Sequence, residues 1–240
     1  MATATDPVVT PAPTFAGFDT SIYPGDQKMT TWKQSSPYVF VGYYLSAPCH
    51  GKSSWMGQRA ALIGMGWNLL PIYVGQQVVG ASKCKSNILT AAQGQTDGDD
   101  ASAKMAAEGF PASTFVYLDV ERTETFPSAL GDYITAWVAQ VASGDYNPSV
   151  YCHKHNADDA RAAVLAGLSD PPAADPRFWI VGGVTSHFHT ETSKPTDVGV
   201  AFANIWQRPA QLSRTFGGVT INPIDEDVAQ WADPAAPDAA

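Results

Sequence analysis

Two acidic residues, Asp119 and Glu121, stand at the end of an apolar run that reads TFVYLDVE. Successive side chains of a β-strand alternate between its two faces, so both carboxyl groups share a face with Tyr117. Their Cα atoms are expected about 6.6 Å apart, given a rise of about 3.3 Å per residue. Carboxylates this close repel, which raises one pKa and lets one group donate a proton while the other accepts. The pair therefore predicts acid/base chemistry; the alternative is an ion pair with a neighbouring Arg or Lys.

Further polar and aromatic residues fall at the ends of other apolar runs. Asp19 ends the first run, where it either joins the acidic pair or caps the loop that follows. Taken singly, the aromatic residues are ordinary core or rim residues, but together on strand ends they form a stacking platform for sugar rings. The candidate binding residues at these ends are Tyr44, Tyr73, Gln76, Tyr151, Trp206 and Gln207.

Eight apolar runs must position these residues, and helix-like segments separate the early ones. The most convincing helix spans residues 128–142, where apolar side chains recur at helical spacing. Strands that alternate with helices favour parallel β/α units, and eight units fit a single (β/α)8 TIM-type barrel with its chemistry at the C-terminal ends of the strands. A doubly wound sheet is the alternative, but the chain has neither a GxGxxG turn nor a P-loop. The eight runs are 15–21, 39–46, 69–76, 114–121, 148–153, 178–182, 201–207 and 219–228.

Histidine provides a competing signal. His153 and His155 form one HxH pair, and His187 and His189 form another, on the loops after the fifth and sixth runs. Such a pair chelates zinc when carboxylates complete the site, which is the chemistry of a metal-dependent amidase or deacetylase. Both pairs lie beyond the expected strand ends, so we expect no metal and no cofactor.

Composition narrows the classes of partner. The chain has 240 residues, of which 45% are hydrophobic and 15% charged, with a net charge of −9. This fraction of apolar residues is enough to fill a core. The excess of acidic residues argues against nucleic acid or an anionic membrane surface as a binding partner. No run approaches the roughly 18 apolar residues of a membrane span. Few charges and many aromatics suit neutral, ring-shaped ligands such as sugars.

The organisation predicted along the chain is one domain with a tail at each end. Residues 1–14 (MATATDPVVTPAPT) have neither a basic nor an apolar region and are interpreted as a flexible linker, not a signal peptide. We expect the barrel over 15–232 and a flexible tail over 233–240. Of the three cysteines, Cys49 and Cys84 fall in loops after neighbouring strands and form the best candidate disulfide; three free thiols are the alternative.

Several segments, in order, also resemble a known family. They are GFDTSIYPGD (17–26), VGYYLS (41–46), GWNLLPIYVGQQ (66–77), QTDGDDASAKMAAEGFP (95–111), VYLDVE (116–121) and SVYCH (149–153). Together they resemble the bacterial glycoside hydrolase-like family, domain of unknown function 1906, over nearly all of residues 15–231. That family is in turn distantly similar to the family 25 muramidases, β/α barrels that cleave the glycan of peptidoglycan.

The resemblance implies roles for particular residues. Glu121 matches the general acid, and Asp119 matches the group that stabilises positive charge or orients the substrate's acetamido group. Asp19 matches the residue that holds and tunes this pair. The Asp-x-Asn motif near the last strand reads here Asp225–Glu226–Asp227, so Asp225 matches the Asp while Asp227 replaces the Asn.

Two hypotheses follow. The first is a glycosidase of bacterial cell-wall glycan with catalytic residues Glu121, Asp119, Asp19 and Asp225, a polysaccharide as its partner and a monomeric state. The second is a non-catalytic carbohydrate-binding or cell-wall-associated barrel, to which the altered last-strand motif points. By resemblance we expect the protein outside the cell or in the cell envelope.

Overall fold

A computed structural model describes residues 13–84 and 86–237, so residues 1–12 of the predicted linker lie outside the described residues. One nine-stranded sheet forms the centre of the fold, in the order β1-β2-β3-β4-β5-β6-β7-β9-β8. The strands are β1 (Phe15–Asp19), β2 (Phe40–Tyr44), β3 (Asn68–Val74), β4 (Phe115–Val120), β5 (Asn147–His153), β6 (Phe178–Val181), β7 (Ile205–Gln207), β8 (Leu212–Phe216) and β9 (Val219–Ala229).

The sheet closes into an eight-stranded barrel, as the sequence predicts. Strands β1 to β7 run parallel, and β9 pairs with both β7 and β1 to complete the circle. Each of the eight predicted runs overlaps one of the eight barrel strands, with bounds that differ by one residue at the start of β3 and β5 and at the end of β9. The last barrel strand is antiparallel, unlike an eighth β/α unit, because the chain returns through a tight hairpin that leaves no room for a crossover helix. Gly217 and Gly218 make that turn with φ of 55° and 76°.

Helices cover the outside of the barrel. Those after β3 and β4 pack closely against each other, as do those after β4 and β5. Thr90 begins the helix after β3 by accepting a hydrogen bond from the Gln93 N–H (3.1 Å). The helices are α1 (Asp26–Ser35), which the sequence analysis did not predict, α2 (Arg59–Gly64), α3 (Ala91–Ala107), α4 (Ser128–Ser143) and α5 (Ala157–Gly167).

Apolar residues divide between the barrel interior and the layer beneath the helices. Leu118 and Val120 pack outward, whereas Tyr117 lies inside the barrel, as strand alternation predicts. Gly17 allows the interior to close, because a Cβ there would stand 2.2 Å from the Phe40 ring. The buried interior residues are Phe40, Leu70, Ile72, Phe115, Tyr117, Trp179, Ile205 and Ala229.

The C-terminal segment closes the barrel at the end where the parallel strands begin. Pro234 O accepts hydrogen bonds from the Tyr117 hydroxyl (2.8 Å) and from Arg177 Nη1 (2.8 Å). Ala235 is buried, and its carbonyl accepts from Phe115 N (2.8 Å). Residues 233–237, which the sequence analysis assigned to a tail, therefore pack against the barrel, where their backbone groups satisfy polar groups at its floor. Residues 238–240 lie outside the described residues.

The predicted disulfide is present. Cys49 and Cys84 are bonded, with Cα atoms 5.4 Å apart, and join the loop after β2 to the loop after β3. Cys152 is a buried free thiol. Within the described ranges, no helix combines the length and the apolar character needed to cross a bilayer.

Candidate active site

A pocket of about 180 Å³ opens at the C-terminal ends of the parallel strands. Four carboxyl groups line it: Asp19 ends β1, Asp119 lies near the end of β4, Glu121 follows β4, and Asp225 lies on β9. These are the four residues that sequence reasoning proposed as catalytic. Of the described residues that line the pocket, none is Lys, Arg or His.

Strand register explains the convergence. Asp119 pairs with Val74 on β3 and with Tyr151 on β5, so all three side chains point into the barrel. Asp19 pairs with Asp225 across the antiparallel β1–β9 ladder, which places two carboxyl groups face to face. The fold therefore concentrates negative charge where these strands reach the pocket.

Asp19 is held by a chain of hydrogen bonds. The Tyr44 hydroxyl donates to Asp19 Oδ1 (2.6 Å), and Gln207 Nε2 donates to Asp19 Oδ2 (2.7 Å). The Tyr151 hydroxyl in turn donates to Gln207 Oε1 (2.7 Å). Three of the predicted binding residues thus line the pocket and fix the orientation of one carboxyl group.

Tyr73 was predicted to bind substrate, but the structure places it on the other face of β3. It pairs with Leu118, whose side chain packs beneath the helices, and neighbouring residues in register share a face. Its hydroxyl donates to Asp100 Oδ2 on α3 (2.8 Å). Tyr73 therefore joins the barrel to α3 instead of contacting the pocket.

Gln76 and Trp206 are also misplaced by the sequence prediction. Gln76 has left the strand, and its Nε2 donates to Asp97 Oδ2 (3.2 Å), away from the pocket. Trp206 faces outward because its neighbour in register on β6, Ile180, does the same. Its Nε1 donates to Gly182 O (2.9 Å). Neither residue lines the pocket.

The pKa values of the carboxyl groups in the pocket are raised. Burial, together with the charge of Asp225, raises the pKa of Asp19 to about 7, against the opposing hydrogen bonds from Tyr44 and Gln207. Burial also raises the pKa of Asp225 to about 6, with a further contribution from Glu121. Both groups can therefore exchange protons near neutral pH.

Asp119 and Glu121 are affected in the same direction. Burial is the main cause that raises the pKa of Asp119 well above its ordinary value, and the charges of Glu121 and Asp19 add to it. Burial raises the pKa of Glu121 as well. Asp119 Oδ1 is buried without a hydrogen-bond partner, which disfavours the ionised form. The pair combines close carboxyl groups with raised pKa values, as acid/base chemistry requires.

Asp227 gives the altered last-strand motif a physical explanation. Its side chain is fully buried, and Oδ1 accepts a hydrogen bond from Trp179 Nε1 (2.9 Å) while Oδ2 has no partner. Burial, then the charges of Asp19 and Asp225, raise its pKa well above the ordinary value. The neutral acid that this favours resembles the Asn of the family 25 pattern in shape and in its ability to donate a hydrogen bond.

Several pocket residues escaped the sequence analysis. Trp179 pairs with Tyr151 in register, and alternation along β6 then turns it inward, but this register is known only from the structure. Gln211 and Pro223 come from the hairpin region, whose path no local pattern reveals. The residues that line the pocket and were not predicted are Thr20, Ser21, Ile72, Trp179, Gln211 and Pro223.

The histidine pairs lie apart from this pocket. His153 Nδ1 accepts from the His155 N–H (3.1 Å), and His189 lines a separate groove. In the part of the chain that the structure describes, no group of three or more His, Cys, Asp and Glu is arranged to hold a metal ion.

Comparison with known proteins assigns the family. The profile of the Rv2525c-like, glycoside hydrolase-like domain matches residues 30–229. The chain belongs to this family. Membership in the glycoside hydrolase-like family agrees with the resemblance carried by the segments around Asp119 and Glu121. No curated protein sequence gives a significant match.

Solved structures confirm the fold of this glycoside hydrolase-like domain. The Tat-secreted protein Rv2525c of Mycobacterium tuberculosis, in complex with L-tartrate, is 17% identical, covers 90% of this chain and 95% of its own, and gives a TM-score of 0.51. The catalytic domain of endolysin ply40 from bacteriophage P40 of Listeria monocytogenes is 14% identical. The match covers 90% of this chain and 92% of the ply40 domain, with a TM-score of 0.57. A point mutant of the modular Cpl-1 endolysin, complexed with a peptidoglycan analogue, is 11% identical. The match covers 91% of this chain and 54% of the Cpl-1 chain, with a TM-score of 0.52.

Proposed function

We propose that the protein is a muramidase-like glycoside hydrolase that acts on the glycan of bacterial peptidoglycan. The observation that carries this proposal is the convergence of Asp19, Asp119, Glu121 and Asp225 on one pocket that no described basic residue lines. Glycoside hydrolysis needs paired carboxyl groups, one protonated and one able to stabilise positive charge. Two similar structures belong to endolysins, one of them with a bound peptidoglycan analogue.

Each carboxyl group has a proposed role in bond cleavage. Glu121, whose pKa is raised by burial, donates its proton to the glycosidic oxygen as the bond from that oxygen to the sugar carbon breaks. Asp119 stabilises the positive charge that develops on the sugar, or orients the substrate's own acetamido group. Asp19 and Asp225 raise the pKa values around them. Water then adds to the sugar carbon, and its proton returns to Glu121.

The surroundings of the pocket support a neutral sugar substrate. Repulsion from the carboxyl groups disfavours anionic ligands. The Tyr151 and Trp179 rings, whose centroids are 4.9 Å apart, give the pocket aromatic surface against which a sugar ring can pack. We propose a monomer that acts outside the cell or in the cell envelope, in keeping with the secreted Rv2525c and the endolysins that it resembles.

Release of reducing ends from purified peptidoglycan glycan tests the proposal. Wild-type protein should release them, and Glu121→Gln, which keeps the shape but removes the proton donor, should lower turnover by about 10²–10⁴-fold. Glu124→Gln is the matched control, because Glu124 lies in the same loop, is largely exposed and pairs with Arg122 (2.9 Å). Equal turnover by wild type and Glu121→Gln contradicts the assignment.

The second candidate is a carbohydrate-binding barrel without turnover. The observation that favours it is Asp227, which stands where the family 25 pattern has Asn and adds a further buried carboxyl group beneath the pocket. This candidate predicts saturable binding of the glycan, with no new reducing ends, that survives the combined Asp119→Asn and Glu121→Gln changes. Measured product release eliminates it.

A further inference from the structure

On the side that faces β3, the end of β4 extends beyond the last strand pair. Pairing between β3 and β4 stops at Val74 and Asp119, so the ladder does not extend to Glu121. A side chain takes over at this point. Gln77, which is only 1% exposed, donates from Nε2 to Asp119 O (2.8 Å) and accepts at Oε1 from Glu121 N (3.0 Å). One carboxamide therefore bridges the backbone on both sides of Val120.

This arrangement reproduces the hydrogen-bond pattern of a parallel ladder. In such a ladder, a residue donates its N–H to the carbonyl that precedes its partner and accepts from the N–H that follows it. Gln77 makes both bonds opposite Val120 with its side chain. The backbone dihedrals of residues 119–121 are therefore fixed, and these dihedrals aim the side chains of Asp119 and Glu121.

Gln77 is itself anchored by its backbone. Its N–H donates to Ser86 O (3.0 Å), and its carbonyl accepts from Asn87 Nδ2 (2.8 Å). The disulfide between Cys49 and Cys84 ties the same loop to the loop after β2. The carboxamide is thus a rigid brace that reaches β4 from a cross-linked loop.

We propose that Gln77 is a positioning residue that aims the Asp119–Glu121 carboxyl pair. The inference rests on the proposed function, because that proposal supplies the roles of the pair. Gln77 does not line the pocket, so its effect reaches substrate only through the backbone that it holds. Small displacements of reacting groups reduce rate strongly, whereas binding by the rest of the pocket is preserved.

Two substitutions test the brace. Gln77→Met removes both hydrogen bonds at similar volume, and we expect kcat to fall about 10–100-fold with KM changed less than about 3-fold. Gln77→Glu introduces a carboxyl group that makes both bonds when protonated and only the bond from Glu121 N when ionised. The ratio of its kcat to that of wild type should therefore fall as pH rises, whereas the ratio for Gln77→Met stays low at every pH.

An NMR readout separates this proposal from the proposed function. The ¹H–¹⁵N resonance of the Glu121 amide, which donates to Gln77, should move in Gln77→Met and should shift with pH in Gln77→Glu. This measurement needs no turnover, so it tests whether Gln77 holds the Glu121 backbone even if wild type releases no reducing ends and the proposed function fails.

Gln93→Met serves as the matched control. Gln93 Nε2 donates to Asp97 Oδ1 (2.7 Å) on its own helix, so the variant loses a similar bond without touching β4. It should leave the Glu121 amide and the pH dependence of kcat unchanged. If Gln77→Met does not fold, the change in Gln77→Glu between low and high pH decides the question. A Glu121 amide and a kcat in folded Gln77 variants that match those of Gln93→Met would overturn the proposal.

Discussion

Asp225, Glu226 and Asp227 follow one another on β9, but the electrostatic environment of Glu226 differs from that of its two neighbours. Glu226 points out of the barrel, where Arg214 Nε donates to its Oε1 (2.7 Å), Arg208 Nη1 lies 3.3 Å from its Oε2, and the Tyr38 hydroxyl donates to its Oε1 (2.7 Å). These partners hold its pKa below the ordinary value, even though burial acts in the other direction. Asp225 and Asp227 point inward, where burial raises the pKa of each.

The difference teaches that neutralisation, more than burial, separates structural from candidate catalytic carboxyl groups in this barrel. All three residues are removed from solvent to a large extent, but only the outward one faces arginines. A carboxylate held ionised by two arginines stabilises the fold and has no proton to donate. Carboxyl groups left without a cation keep their protons to higher pH, which suits acid catalysis.

The largest expected effect is loss of turnover on the inward side. Asp119→Asn cannot form the carboxylate that the proposed function uses to stabilise positive charge on the sugar, and we expect kcat on peptidoglycan glycan to fall at least about 100-fold. The fold should survive, because a neutral isostere replaces a buried carboxyl group. Glu226→Gln, on the outward side, should change kcat less than about 3-fold. Equal losses in the two variants, measured as reducing ends released, would erase the distinction.

Glu226→Gln should instead weaken the fold. It leaves Arg208 and Arg214 without their anion, and we expect the free energy of unfolding to fall by about 1–3 kcal/mol at pH 7. The folded-state pKa of Glu226 is lowered, so its contribution is present above the unfolded pKa and is lost as pH falls through the folded value. Urea unfolding at pH 7 and at pH 3 measures this; a deficit that persists in full at pH 3 would count against it.

Asp227→Asn should stabilise the fold, whereas Glu226→Gln weakens it. The folded-state pKa of Asp227 is raised, so wild type is stabilised below the unfolded pKa and loses that stability as pH rises through the folded value. An amide does not ionise, and we expect Asp227→Asn to raise the free energy of unfolding by about 1–2 kcal/mol at pH 8. At pH 3.5 the gain should vanish. A variant that is less stable than wild type at pH 8 by thermal unfolding would refute the prediction.

The smallest expected effect separates the two arginines. Arg214 makes two hydrogen bonds to Glu226, at 2.7 and 3.1 Å, whereas Arg208 makes one side-chain contact at 3.3 Å. Arg208→Gln should therefore cost about 0.5 kcal/mol of unfolding free energy and Arg214→Gln about 1–2 kcal/mol. Chemical denaturation measures the unfolding free energy of both variants. A larger loss in Arg208→Gln than in Arg214→Gln would show that hydrogen-bond geometry does not set the contribution of each arginine.

Local patterns predicted the barrel and three of the four pocket carboxyl groups, those of Asp19, Asp119 and Glu121, whereas the family resemblance added Asp225. Alternation along β4 correctly separated Tyr117, Asp119 and Glu121 from Leu118 and Val120, because a single strand is enough to define its two faces. The same rule applied to β3 and β7 needed the register with their neighbours. Without that register, the sequence prediction assigned Tyr73 and Trp206 to the pocket.

The missing predictions concern long-range structure. The antiparallel course of β9 depends on the β8–β9 hairpin, whose Phe216 packs edge-on against Trp32 of α1 (5.2 Å between centroids). That contact joins positions far apart in the chain, and no local periodicity reveals it. Gln77 escaped for a related reason, since its partners at Asp119 and Glu121 are brought close only by strand pairing.

Site-resolved ¹³C NMR titration of the side-chain carboxyl groups tests most directly that the inward carboxyl groups keep their protons to a higher pH than the outward one. We predict that Asp19 titrates near pH 7 and Asp225 near pH 6, while Glu226 titrates below the ordinary range for glutamate. The account would be contradicted if Asp19, Asp225 and Glu226 all titrated at the ordinary pKa values of exposed side chains.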